Sequence, residues 1–236
     1  MARVEREYDP IHPRGTDWRG VLRRILAPIG AAIVLIAKFG FAAVKFFSIF
    51  IAVAGYALIW GWRFAIGFVL LILVHELGHF FEARRQGLHA TWPTFIPFFG
   101  AYVLIKDAPL NPWRNALVSL AGPAYGGVGA AVCWAFGEAY NSDLLRALAY
   151  AGFLINLINL IPVGILDGGS VWRSIQLARH SVAAPPGQTF AMGSTYPIAV
   201  PGGGPSRAVQ IGALYGLLIV LLILGMVATH VTQHRL

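Results

Sequence analysis

The stretch from Phe64 to Arg84, FAIGFVLLILVHELGHFFEAR, constrains this chain more than any other. Its first eleven residues are apolar enough to sit in lipid, yet the second half carries His75, Glu76 and His79. On a helix, residues four apart lie one turn apart on the same face, ~6 Å along the axis. Ionisable groups at membrane depth cost several kcal/mol unless they are paired or ligated, so three within five residues require a reason. Two imidazoles one turn apart can grip one metal ion, and a carboxylate next to the first can act on water held there. Zinc is the metal to which this pattern points. The plainer alternative is a helix end at the interface whose histidines simply reach water.

Composition supports the membrane setting. The 236 residues are 57% hydrophobic and 12% charged, with a mean hydropathy of +0.67. Several apolar runs approach the ~20 residues that a helix needs to cross a bilayer. We therefore expect an all-α polytopic membrane protein of about five to six transmembrane helices. The first twenty residues are polar, without the apolar core of a cleavable signal peptide, so the membrane helices themselves are expected to direct insertion. The net charge of +8 does not imply a nucleic-acid partner, because the basic residues are scattered around helix ends, where they fix orientation. Cys133 is the only cysteine, which excludes an intrachain disulfide and a cysteine-based zinc site. Histidine and carboxylate must hold any metal.

In chain order, residues 1–20 read as a polar tail and 21–62 as accessory hydrophobic helices. The latter are either two spans, about 25–37 and 40–60, or one interfacial helix and one span, since Lys38 and Lys45 share a helix face. Trp60, Gly61 and Trp62 read as an aromatic belt with a turn. The catalytic core is expected over 63–180. After the HELGH helix, residues 86–111 are too broken by Pro93, Pro97, Gly100 and Pro109 to be helical. The aromatic and β-branched segment 95–105 predicts short strands or a re-entrant hairpin. Residues 112–136 form the next span, whose small residues (Ala124, Gly126, Gly127, Gly129) predict a packing face against the metal-bearing helix. A further span is expected over 147–166, broken near its end by Pro162, then a short helix over 170–180. A Pro/Gly-rich loop, 181–206, leads to a C-terminal transmembrane helix and tail, 207–236. His230 and His234 are assigned no role.

Catalytic zinc typically has three protein ligands, so a third is needed. With Arg84 and Arg85 marking one membrane face and the loop bearing Glu138 and Asp143 the other, the spans alternate in direction. His79 lies five residues before Arg84, and Asp167 six before Arg173. Both then sit ~8–9 Å from the same basic boundary. Asp167 is the preferred third ligand, with Glu82 and Asp107 as rivals, and capping of the 170–180 helix is its ordinary alternative role.

His75-Glu76-Leu77-Gly78-His79 in one membrane helix, with Asn159-x-x-Pro162-x-x-x-x-Asp167-Gly168 in a later one, resembles the site-2 protease family of intramembrane zinc metalloproteases. Phe95-Ile96-Pro97-Phe98-Phe99-Gly100 and Ala121-Gly122-Pro123 also look like that family, so the resemblance spans about residues 63–180. It implies one Zn²⁺ held by His75, His79 and Asp167, with Glu76 as general acid/base and Asn159 and Asn156 binding substrate. The ordinary role of both asparagines is an interhelical hydrogen bond. The chain departs from larger relatives in that a compact form without an inserted PDZ or appended CBS domain is expected. The implied substrate is a single-span membrane protein or membrane-tethered peptide. The implied setting is a multi-pass protein of the cell (inner) membrane, its lipid bilayer the other partner, with the active site towards the cytoplasm. A metal-ion transporter and a catalytically silent metal-binding scaffold are the competing classes; neither needs a carboxylate next to the first histidine.

Overall fold

A computed structural model describes residues 26–27, 47–96, 100–106, 111–183, 199–200 and 203–233. The expected polar tail, nearly all of 21–46, Pro97 to Phe99, Asp107, most of the Pro/Gly-rich loop and His234 lie outside the described residues. All elements below belong to one compact unit, Lys45–Leu236.

Helix α1, Phe47–Trp60, meets α2, Trp62–Arg85, at Gly61. That glycine has φ 79°, a left-handed backbone that a side chain would strain, so the two apolar runs are separate helices. The turn expected between the two tryptophans is there. After α2 the chain makes an antiparallel hairpin of β1, Thr94–Ile96, and β2, Gly100–Tyr102. The pairing continues towards the base: Thr91 N–H donates to the Leu104 carbonyl and Lys106 N–H to that of His89, both at 2.9 Å. The Phe95 amide donates to Ser48 Oγ at 3.2 Å and its ring is buried, so α1 and the hairpin are tied together. Of the two readings of 95–105, the described residues take that of short strands.

Helix α3, Pro112–Ala139, starts on strong local signals. Asn111 accepts from the Trp113 and Arg114 amides, and Pro112 occupies a position whose N–H would have no helical partner. Helix α4, Asp143–Asn159, is capped by Ser142, which accepts from the Leu145 amide. It begins and ends earlier than the expected span of 147–166. Proline lacks an N–H and its ring opposes helical geometry in the preceding residue, so Pro162 closes α4 well before Asp167. Residues 160–166 form tight turns, with Val163 N–H bonded to the Ile161 carbonyl and Leu166 N–H to that of Val163. Asp167 is the first residue of α5, Asp167–His180, after an N-cap at Leu166. The N-cap Leu166 makes no side-chain capping bond, and the Asp167 carboxylate lies against the His75 and His79 rings. A two-residue parallel pair, β3 Val182–Ala183 with β4 Ala199–Val200, precedes α6, Pro205–Gln233.

Two apolar clusters hold these elements. Ala116, Leu120, Phe153, Leu160, Val171, Ile175, Ile211 and Leu222 join α3, α4, α5 and α6. Ala52, Tyr56, Phe68, Val69, Leu71, Ile72, Phe95 and Leu148 join α1, α2, β1 and α4. Among the described residues, α2, α3 and α6 are long and apolar enough to cross a membrane. Leu214, Leu217, Val220, Leu221, Leu224 and Val227 of α6 are exposed, a surface that suits lipid. The chain is a mostly helical membrane protein with a small sheet after the HELGH helix.

Candidate metal centre

The centre lies where α2, α3, α4 and α5 meet. His75 and His79 occupy adjacent turns of α2, both buried, their Nε2 atoms 3.1 Å apart. The Asp167 carboxylate straddles them, Oδ2 lying 3.2 Å from His75 Nε2 and Oδ1 3.3 Å from His79 Nε2. Among the described residues, these three form the one group of histidine, cysteine and carboxylate side chains able to share a metal ion. Glu82 does not join them: its carboxylate accepts from Arg85 and Gln86, about one turn further along α2.

Hydrogen bonding fixes the protons on both rings. The Val118 carbonyl, 2.8 Å from His79 Nδ1, can only accept, so Nδ1 carries a hydrogen, and in the neutral ring Nε2 keeps the lone pair. For His75 the deduction takes one more step. Asn156 Nδ2 lies 2.6 Å from the Gly152 carbonyl and must donate to it, which turns Oδ1 towards His75 Nδ1, 2.7 Å away. Nδ1 of His75 is therefore also the donor. Two imidazole lone pairs and a carboxylate thus converge, and Asp167 Oδ2 is buried without a hydrogen-bond partner. Protons on both rings would satisfy the two Asp167 contacts but would set two N–H groups against each other across 3.1 Å. A cation satisfies all three. Donor atoms around tetrahedral zinc, at bonds of 2.0–2.2 Å, stand about 3.3–3.6 Å apart. The observed spacings are close to that, so the residues fit the ion.

Close helix approach makes this possible, and here the small residues expected on α3 acquire a specific use. A Cβ on Gly122 would lie 2.1 Å from His79 Nε2, and one on Gly126 would lie 2.2 Å from Asn156 Oδ1. A Cβ on Gly78 would strike the Ala121 carbonyl at 2.4 Å. Glycine at these positions leaves room for the imidazole and the amide that orients its neighbour. The Val118 carbonyl escaped sequence reading because backbone acceptors have no residue-type signature.

Beside the metal-capable group is a cleft of about 230 Å³, lined by His75, Glu76, Asn159 and Leu166 and by Gly100 and Ala101 of β2. Tyr56, Phe68, Ile72, Ile155 and Ile158 form its apolar remainder. Glu76 is buried, its carboxylate in the same cleft as the His75 ring. Asn159 is half-buried and faces the cleft, whereas Asn156, 1% exposed, is engaged with His75 and Gly152. The HELGH helix, the short sheet and Asp167 are thereby assembled around one opening.

This arrangement, two histidines on one membrane helix and an aspartate at the start of another, defines a class. Residues 63–142 match the model of peptidase family M50. Among similar proteins are sll0528 of Synechocystis sp., 32% identical over 109 residues, and the chloroplastic EGY2 of Arabidopsis thaliana, 30% identical over 150. Rip3 of Mycobacterium tuberculosis is 29% identical over 140 residues. All three are named as zinc metalloproteases. The matched stretches cover 44%, 45% and 54% of this chain and 28%, 27% and 35% of the respective relatives. The chain thus spans about a third or less of the length of the curated relatives it matches.

Proposed function

We propose that the protein is an intramembrane zinc metalloprotease that hydrolyses a peptide bond in or near the transmembrane segment of a membrane protein. The observation that carries this reading is the convergence of two imidazole lone pairs and a buried carboxylate beside Glu76. His75, His79 and Asp167 would hold one Zn²⁺, which would supply Lewis-acid chemistry for activating water and polarising a carbonyl. Glu76 accepts the proton of the attacking water and later delivers it to the leaving amine. Asn159 contacts the bound peptide from the wall of the cleft. A peptide bond inside an intact helix is screened, so the substrate must unwind first. Gly100 and Ala101, at the edge of β2, can receive the extended segment by strand addition.

The reading extends to topology. With α1 and α4 added to the three longer helices, the described residues supply five spans of a protein of the cell (inner) membrane. The ends of α2 and α5 carry Arg84, Arg85 and Arg179. Arg207, at the start of α6, stacks on Trp113 at the start of α3, placing a further cation at that end. The α3–α4 turn carries Glu138 and Asp143. Excess arginine on one side supports a cytoplasmic position for that side and for the metal centre near it.

The test compares cells bearing the wild-type protein with cells bearing Glu76→Gln. Single-span membrane proteins should accumulate intact with the variant, while purified variant retains its zinc. Undiminished cleavage would refute the role of Glu76. Retained zinc with no substrate cleaved by either form would favour a transporter or a silent scaffold.

A further inference from the structure

Asn156 and Asn159 lie three residues apart on α4, and both belong to the motif region associated with substrate. Their surroundings differ. Asn159 opens onto the cleft, whereas Asn156 is 1% exposed and bonded at both ends of its amide. Its Nδ2 donates to the Gly152 carbonyl one turn earlier in α4, and its Oδ1 accepts from His75 Nδ1 at 2.7 Å. The amide cannot turn over, because an NH₂ group would then face the Nδ1 hydrogen and a carbonyl would face a carbonyl. Gly126 of α3 lies against the same oxygen, where a methyl group would intrude to 2.2 Å.

We infer that Asn156 is a positioning residue for the metal ligand His75, seated in a gap kept open by Gly126, and does not contact substrate. A chain of fixed orientations runs from the Gly152 carbonyl through the Asn156 amide to the His75 ring, and it presents Nε2 as a lone pair to the metal position. His79 is oriented in parallel by the Val118 carbonyl, so each histidine has its own outer acceptor from a different helix. Such partners fix both ring tautomer and direction, and their loss typically lowers metal affinity about 10–100-fold. The inference rests on metal binding at this site and not on proteolysis.

The experiment measures zinc affinity of the full-length protein in detergent by chelator competition, together with the visible spectrum of the Co²⁺-substituted form. Asn156→Leu should weaken zinc binding about 10–100-fold and alter the cobalt bands. Asn156→Asp, which keeps an acceptor facing His75, should restore most of the affinity. Gly126→Ala, which displaces the amide without changing it, should reproduce the Asn156→Leu effect. Zinc affinity and cobalt bands unchanged in Asn156→Leu, with a raised KM for cleavage, would overturn the inference and return Asn156 to substrate binding. If Asn156→Leu does not fold, Gly126→Ala decides, and unchanged affinity in it also overturns the inference. Absence of zinc binding by the wild-type protein would instead refute the proposed function, so the two failures are distinguishable.

Discussion

Two polar clusters are buried along α3, and they differ in kind. Towards its C-terminal end, Arg146 has a side chain only 4% exposed, but its guanidinium donates to Glu138 at 3.0 Å, Asp143 at 2.8 Å and Asn141 at 2.5 Å. Cation and acceptors are all present, and the carboxylate partners extend towards the surface, with Asp143 93% exposed. That cluster is complete: it ties the α3–α4 turn and asks for no further group. Around Val118 to Gly126, by contrast, two imidazole nitrogens and a carboxylate face one another, with no arginine or lysine among the described residues bonded to them. Both clusters are buried and polar, so burial does not distinguish structure from function here. The direction of the charge imbalance does, and it identifies the chemistry of what must be added.

Perturbing each cluster sharpens the difference. The largest effect should come from Asp167→Ala, which removes a direct ligand and should lower zinc affinity more than about a hundredfold, beyond the range typical of outer partners. Equilibrium zinc content of purified protein checks this, and an unchanged content would detach Asp167 from the site. Next, Glu76→Gln should leave zinc content intact and slow hydrolysis about 10²–10⁴-fold, the usual contribution of a general acid/base, in a purified-substrate assay. Gly122→Ala, which alters no ionisable group, should reduce zinc affinity at least about tenfold, since its methyl group would intrude 2.1 Å from His79 Nε2. Wild-type-like zinc binding in that variant would mean that α2 and α3 can part without harm. Chelation should also lower the unfolding temperature of the wild type, because zinc at 1,000 times its Kd stabilises the folded state by about 4 kcal/mol. The smallest effect belongs to the complete cluster. Arg146→Met should lower stability by about 1–2 kcal/mol in a thermal melt, limited because Asp143 can hydrate, and should leave zinc affinity unaltered.

The group His75, His79 and Asp167, which the structure brings within reach of one ion, was legible in the sequence because its signals are local or countable. His75 and His79 follow from helical periodicity, and Asp167 from its distance to the same basic boundary. The short strands after α2 were legible as aromatic and β-branched residues between prolines. The division between the two asparagines was not. Residues three apart on a helix differ by only about 60° around its axis, so pattern alone cannot say which faces a histidine and which a cleft. That depends on how α4 is rotated against α2. The early start of α4 had a signal in Ser142, an ordinary N-cap, but the apolar run beginning near Ala147 outweighed it. Gly122 and Gly126 could be recognised as small, yet not as the seats of an imidazole and an amide, because that requires knowing which atoms lie opposite them.

The most direct test of the central claim is zinc K-edge X-ray absorption on the purified, full-length protein. The account predicts one zinc with two imidazole nitrogens at about 2.0–2.1 Å, the remaining scatterers oxygen. A sulfur scatterer at about 2.3 Å, or zinc retained unchanged when His75 and His79 are both replaced by alanine, would contradict it.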